Sequence, residues 1–297
     1  MKDKTQIPID PSSRADDPEA DALRDDGTHE VARDLAYKRL GIVNVVFYGV
    51  PGTSFWVLID AGLPGTGGRI AAAAEERFQS PPECIILTHG HFDHVGALSD
   101  LAGRWDVPVY AHQLEHPYLN GTAAYPPADR SVGGGLMATL SPLYPHGPYD
   151  FSRWLTALPA DGAVPHMPDW TWVHTPGHTP GHISLWRPKD RALIAGDAII
   201  TTRQESAYAA VTQMVELHGP PMYFTQDFTA AHRSVEALAS LDPEVVITGH
   251  GRPISGTHLR DGLRELALNF DIVAIPDQGK YVKRPATVED GSAYERP

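Results

Sequence analysis

Short runs of β-branched and aromatic residues, each closed by glycine, proline or a charged residue, recur along the chain and alternate with alanine- and leucine-rich stretches of helical period. This pattern predicts strands at 41–48 and 54–60, joined antiparallel by a turn at Pro51-Gly52. A helix follows at 67–78, where four alanines permit close packing. Next come a strand at 84–87, a short helix over 94–104 and a strand at 107–111. Regularity returns with strands at 170–174, 183–187 and 192–195. Asp227 is placed to cap a helix running to 240, with Val235, Leu238 and Leu241 on one stripe. A strand at 245–248 and an amphipathic helix at 257–270 complete the series. Strands and helices interleaved in this way indicate an α/β fold.

Three stretches break the pattern. Residues 1–30 are rich in Pro, Ser and Asp and poor in large apolar side chains, so they bury too little to offset the entropy of ordering. They read as a flexible acidic arm, or a clasp for a second copy, before a domain at 31–297 whose order begins near Tyr37. Residues 112–168 and 201–226 have no clean period and read as inserts; loops of that length in a compact domain usually serve function. They carry Tyr118, Tyr125, Tyr144, Tyr149, Phe151, Trp154, Tyr208, Tyr223 and Phe224, aromatics suited to roofing a pocket or filling a small second core.

Composition narrows the partners. The 297 residues include 24 basic and 37 acidic side chains, a formal charge of −13. Such a surface repels nucleic acid and anionic membrane, and no local basic cluster offsets it. A small-molecule substrate is expected, with a homodimer as an option. The single cysteine, Cys84, excludes an internal disulfide and a zinc ribbon and reads as a small core residue. No signal-peptide core and no apolar stretch near 18 residues is present, which predicts a cytoplasmic protein.

The chemistry lies where strands end. Four apolar runs close in residues able to ligate metals: Cys84-Ile-Ile-Leu-Thr before His89, His91, Asp93 and His94; Trp170-Thr-Trp-Val-His-Thr-Pro-Gly before His178; Ala192-Leu-Ile-Ala-Gly before Asp197; and Val245-Val-Ile-Thr-Gly before His250. In α/β folds the crevice lies at the carboxyl ends of strands, so ligands distant in sequence can converge there. His89 and His91, with Gly90 between them, can offer imidazoles to one ion, and His178 completes that set. Asp93 and His94 diverge and can serve a second ion with His250. Asp197 has two oxygens and can bridge both. Five nitrogens and two carboxylates thus suit two divalent cations with positions left for water.

These motifs resemble the metallo-β-lactamase superfamily over about residues 43–252. They match in order: Leu58-Ile-Asp-Ala-Gly62, Thr88-His-Gly-His-Phe-Asp-His94, Thr175-Pro-Gly-His178, Ala195-Gly-Asp197 and Gly249-His250-Gly251. The resemblance implies a four-layer αβ/βα sandwich and a dinuclear hydrolase, with zinc first and iron or manganese as alternatives. Asp60 resembles the family acid that orients a ligand loop, and His182 is expected beside the ligands rather than among them. The expected reaction is attack by a metal-bridging hydroxide on an acyl carbon, or alternatively phosphorus as in a phosphodiesterase, with Asp93 moving the proton.

Departures from known branches weigh the substrate. A bridging Asp197 argues against β-lactamase activity as the main one. The lactonases place a pocket tyrosine three residues after that aspartate, where this chain has Ile200; Tyr208 and Tyr223 are the substitute candidates. After His250, residues Arg252, Arg260, Arg264, Lys280, Lys283 and Arg284 are interspersed with acids, which is a poor glutathione patch. The expectation is cleavage of an ester, lactone or thioester. The alternative from another class is a mononuclear iron oxidoreductase resembling persulfide dioxygenases.

Overall fold

The structure, a computed structural model, describes residues 7–8, 23–203 and 215–296. Two large sheets face each other. The first has seven strands in the order β2 (His29–Ala32), β3 (Leu35–Leu40), β4 (Val43–Tyr48), β5 (Val57–Ile59), β6 (Ile85–Ile86), β7 (Val109–Ala111) and β8 (Leu155–Ala157). Pairing is antiparallel from β2 to β5 and parallel from β5 to β8. The second sheet has five strands. Its order is β14 (Ile254–Ser255), β13 (Val245–Thr248), β11 (Ala192–Gly196), β10 (Ile183–Arg187) and β9 (Thr171–His174), with only β11 and β13 parallel. A two-stranded pair joins β1 (Ile7–Pro8) to β12 (Glu216–Leu217).

Side-chain alternation builds four layers from these sheets. On β4, Val46 and Tyr48 point into the core between the sheets, while Val43, Val45 and Phe47 point to the outer side. On β11, Ala192 and Ile194 face that same inner core, and Leu193 and Ala195 face outward. The outer face of the first sheet is covered by helices Gly67–Arg77 and Leu98–Trp105, which bury Ile70, Ala71, Ala74, Leu98 and Leu101 there. Helices Phe228–Ser240 and Gly256–Val273 cover the second sheet with Val235, Leu238, Leu259, Leu263 and Phe270. Asp227 caps the first of these, its carboxylate accepting from Ala230 N at 2.9 Å. The result is the αβ/βα sandwich. Cys84 lies in the inner core, where burial pushes its thiol up to about 12.

Two expectations about the chain's organisation need adjusting. Order starts before Tyr37: Leu23 bridges to His29, β2 forms, and the buried Arg77 guanidinium takes Glu30 at 2.9 Å and Asp26 at 3.5 Å. Those carboxylates have a partner that the local sequence does not show. The stretch 112–168 is more than an insert, because it supplies β8, three residues that pair with β7. Its segment 132–144, with 222–228 and 281–286, forms a small separate core of Val132, Ala138, Met222, Tyr223, Phe228 and Tyr281. Among the described residues no helix is long and apolar enough to cross a membrane.

Candidate metal centre

Strand ends from both sheets meet at one edge of the sandwich. The loop after β6 turns into a one-turn helix, Phe92–Val95, which follows His91 and carries Asp93 and His94, the His94 ring lying 4.2 Å from that of His89 between centroids. From the other sheet, the loops after β9, β11 and β13 bring His178, Asp197 and His250. Asn44 on β4 pins the last loop across the gap: its backbone N donates to Gly249 O at 2.8 Å, and its amide to Thr248 O and Gly251 O at 3.0 and 2.7 Å. A side chain on Gly249 would run into Asp197 Oδ1 and His94, so glycine there permits the approach.

All seven expected ligands come together and all are buried. They form three overlapping groups, His89–His91–His178, Asp93–His94–His250, and His89–His94–Asp197 between them, with the ligand atoms of each group within 4.8 Å of one another. In the first group His91 Nδ1 lies 3.0 Å from His89 Nε2 and 2.9 Å from His178 Nε2. In the second, His250 Nε2 is 3.4 Å from Asp93 Oδ2. Asp197 faces both: Oδ2 is 3.4 Å from His178 Nε2 and 3.1 Å from His250 Nε2, and Oδ1 is 3.6 Å from His94 Nε2.

The surroundings dictate which ring nitrogen is free. Asp60 Oδ2 accepts from Thr88 Oγ1 at 2.8 Å, so that hydroxyl oxygen accepts from His89 Nδ1 at 3.1 Å. Asp60 also accepts from His94 Nδ1, at 2.8 Å. The Ile42 carbonyl accepts from His250 Nδ1 at 2.6 Å. Each of these imidazoles therefore turns the lone pair of Nε2 toward the cluster. Asp60 holds a left-handed φ of 61° to reach its partners, a conformation that costs a non-glycine residue about 1 kcal/mol. His182 lies outside the cluster. Asp197 N donates to His182 Nε2 at 2.9 Å, so His182 Nδ1 donates to Thr175 Oγ1 (2.8 Å), Thr175 to Ser184 Oγ (3.0 Å) and Ser184 to Ala195 O (2.9 Å). That relay fixes the backbone of Asp197.

Charge divides the cluster. Burial, reinforced by neighbouring imidazoles, holds His89 and His91 well below the ordinary histidine value, and burial brings His178 down to about 3. These rings are neutral at pH 7, as ligands must be. Burial also opposes charge on His94 and His250, but the carboxylates outweigh it: Asp197 and Asp60 raise His94, and Asp197 and Asp93 raise His250. Asp197 is lowered because His250 and His94 overcome its desolvation, whereas burial wins at Asp93 and raises it. His94 Nε2 and Asp197 Oδ1 are buried without a hydrogen-bond partner. Unpaired buried polar atoms are costly, and convergent neutral nitrogens beside carboxylates are what divalent cations satisfy. The residues fit two such ions.

The other expected residues divide. Tyr208 lies outside the described residues. Tyr223 is 2 % exposed and packed in the small separate core, 4.8 Å from Phe224 between ring centroids. Tyr118 and Tyr125 are stacked at 3.7 Å and buried, so they do not roof a pocket. The half-buried rings near the ligands are Phe224, 4.7 Å from His91, with Phe92 and Tyr144 beside it. Of these the sequence pattern had left out Phe92, which sits inside the ligand motif itself. It also missed Glu115 and Tyr125 as contacts of the ligand loop: Gly90 N donates to both, at 3.0 and 2.9 Å. Nothing in the irregular stretch around Glu115 marks it.

Residues 39–250 match the sequence profile of the metallo-β-lactamase superfamily. A probable metallo-hydrolase of Bacillus subtilis, YflN, is 47% identical over 249 residues, covering 83% of this chain and 94% of that protein. A hydroxyacylglutathione hydrolase of Bdellovibrio bacteriovorus is 28% identical over 176 residues, 56% of this chain and 57% of that one. Among solved structures, a β-lactamase domain protein from Burkholderia ambifaria shares the fold with a TM-score of 0.58 at 18% identity, over 89% of this chain and 79% of that one. With the site geometry, these matches establish that the chain is a member of the metallo-β-lactamase superfamily.

Proposed function

We propose that the protein is a dinuclear metal-dependent hydrolase, zinc being the first candidate, that cleaves an ester, lactone or thioester with an apolar acyl part. The observation that carries this reading is Asp197, whose two oxygens face His178 and His250 on one side and His94 on the other. His89, His91 and His178 would hold one cation, Asp93, His94 and His250 the other, and Asp197 both. Cations there supply Lewis-acid chemistry: they lower the pKa of water toward neutrality and polarise an acyl oxygen.

The chain's own residues supply the rest. Asp93, buried beside His250, is placed to take the proton of the attacking water and return it to the leaving group. Asp60 and Thr88 hold His89 and His94 in orientation, and His182 holds Asp197. Phe92, Tyr144 and Phe224, half-buried with Phe224 against His91, would shield that side of the ligands from water. A cleft of about 350 Å³ on the far side of Phe92, lined by Val95, Pro145, Pro148, Tyr149 and Phe151 but also by Ser99 and Asp150, has the size for a small group and includes none of the seven ligand residues. Similarity to a protein named hydroxyacylglutathione hydrolase also supports acyl chemistry.

The test is a hydrolysis panel of esters, lactones and thioesters with acyl parts from acetyl upward, on metal-loaded protein. kcat/KM should rise with apolar bulk, and Phe224→Ala should lower it about tenfold for large acyl groups while sparing acetyl. A rate independent of acyl size, or a single bound iron with oxygen consumption in place of hydrolysis, contradicts the reading.

A further inference from the structure

Glu115 is fully buried, and among the described residues it has no ion-pair partner. A carboxylate in that position is tolerated only when hydrogen bonds replace its water. Four do. Oε1 accepts from Thr179 Oγ1 and from Gly181 N, both at 2.8 Å. Oε2 accepts from Gly90 N at 3.0 Å and from the Tyr125 hydroxyl. Gly90 sits between His89 and His91, and Thr179 directly follows His178. One carboxylate therefore joins the ligand loop of the seven-stranded sheet to the ligand loop of the five-stranded sheet.

The packing around this link is tight. A Cβ on Gly181 would lie 2.8 Å from Glu115 N, and one on Gly90 would lie 2.6 Å from the Tyr125 oxygen. Gly90 N also donates to that oxygen at 2.9 Å, so the Tyr125 hydrogen is left for Glu115. The Tyr125 ring packs 4.5 Å from the His91 ring, centroid to centroid. The second group is anchored by the Ile42 carbonyl and by Asp60, which also reaches His89 through Thr88.

We propose that Glu115 is a positioning residue for the first cation site: by clamping Gly90 to Thr179 and Gly181 it sets the distance between the His89–His91 pair and His178. The link demands a carboxylate. Each oxygen faces a backbone N–H, Gly181 on one and Gly90 on the other. A glutamine amide, turned either way, points its NH2 group at a donor. An aspartate keeps the acceptors on a shorter arm and should restore part of the function. This inference rests on the metal-centre part of the proposed function and is independent of the substrate.

The test uses the full chain, stripped with chelator and titrated with Co2+, reading both affinity and the visible ligand-field spectrum. Wild type should take two equivalents. Glu115→Gln should weaken one equivalent by about tenfold or more, alter its absorption band and leave the other equivalent as in wild type, with Glu115→Asp intermediate. Tyr125→Phe and Thr179→Val each remove one donor while the carboxylate stays, and should give smaller shifts in the same band; they carry the test if Glu115→Gln does not fold. Reduced thermal stability with wild-type affinities and spectrum across these variants reduces Glu115 to a packing role and overturns the proposal. A wild type that binds no Co2+ overturns the metal centre itself, a separate failure.

Discussion

The two halves of the cluster are built from similar residues and behave as opposites. His89, His91 and His178 are three imidazoles kept neutral by burial, and among the described residues no carboxylate bonds their outer nitrogens. Asp93, His94 and His250 combine a carboxylate with two imidazoles whose pKa values the surrounding acids raise. The first group offers lone pairs and little charge. The second, with Asp60 behind it, offers negative charge and holds protons until a cation displaces them. Asp197 lies between them, with oxygens 3.4 Å from His178, 3.1 Å from His250 and 3.6 Å from His94, so under the proposed function it is the residue that would couple the halves.

The largest effect should come from removing that common residue. Asp197→Ala is expected to lower hydrolysis by about 1,000-fold, near 4 kcal/mol of barrier, and to leave at most weak binding at either position. Metal analysis and kinetics on the same sample check this; a variant keeping two ions and its rate would dissolve the link between the halves. Next are the single-group variants. His178→Ala and His250→Ala should each lose one ion and about 100-fold or more in rate, but on different sides of the cluster. A smaller loss is expected for Asp60→Asn. Its amide cannot accept from Thr88 N, Thr88 Oγ1 and His94 Nδ1 together, so metal affinity should fall about 10- to 100-fold. Isothermal titration reads that change, and equal affinity would remove Asp60 from the account.

The smallest effect is on the stability of the chelated protein against pH. In the unfolded chain, imidazoles bind protons below about 6.5. In the fold His178 does so only near 3, and His89 and His91 are likewise lowered. The unfolded state thus takes up more protons as pH falls below 6.5, and this group loses stability with acid. His94 and His250 have the opposite sign: their contribution is full below 6.5 and is lost as pH rises through their raised values. Melting followed by circular dichroism should show Tm falling on both sides of a maximum near neutrality, by about 5 °C on the acid side. In the Asp197→Ala variant the alkaline fall should shrink. A flat profile would show that the two groups do not differ in charge.

The same contrast of regions explains what the sequence makes visible. The seven ligands sit at the ends of apolar runs, so periodicity locates the strands and the strand ends locate the chemistry. His182 was likewise legible as a neighbour of the ligands, because Pro180-Gly181 prevents it from sharing a helix face with His178. Local pattern fails where a residue's partner is remote. Nothing near Asp26 and Glu30 reveals Arg77, and nothing near Glu115 reveals Gly90, Thr179 or Gly181. β8 and β12, of three and two residues, are too short to show an alternation. Of the aromatics expected over the site, Tyr118, Tyr125 and Tyr223 are instead packing residues, since aromatic content alone does not tell a wall from a core.

The central claim is that these side chains form one centre holding two cations. The most direct measurement is hydrolytic rate against equivalents of Zn2+ added to chelated protein, with bound metal counted at each point. The account predicts a rate that levels off at two ions per chain and is abolished by chelator. A plateau at one ion, or hydrolysis that persists without metal, would contradict it.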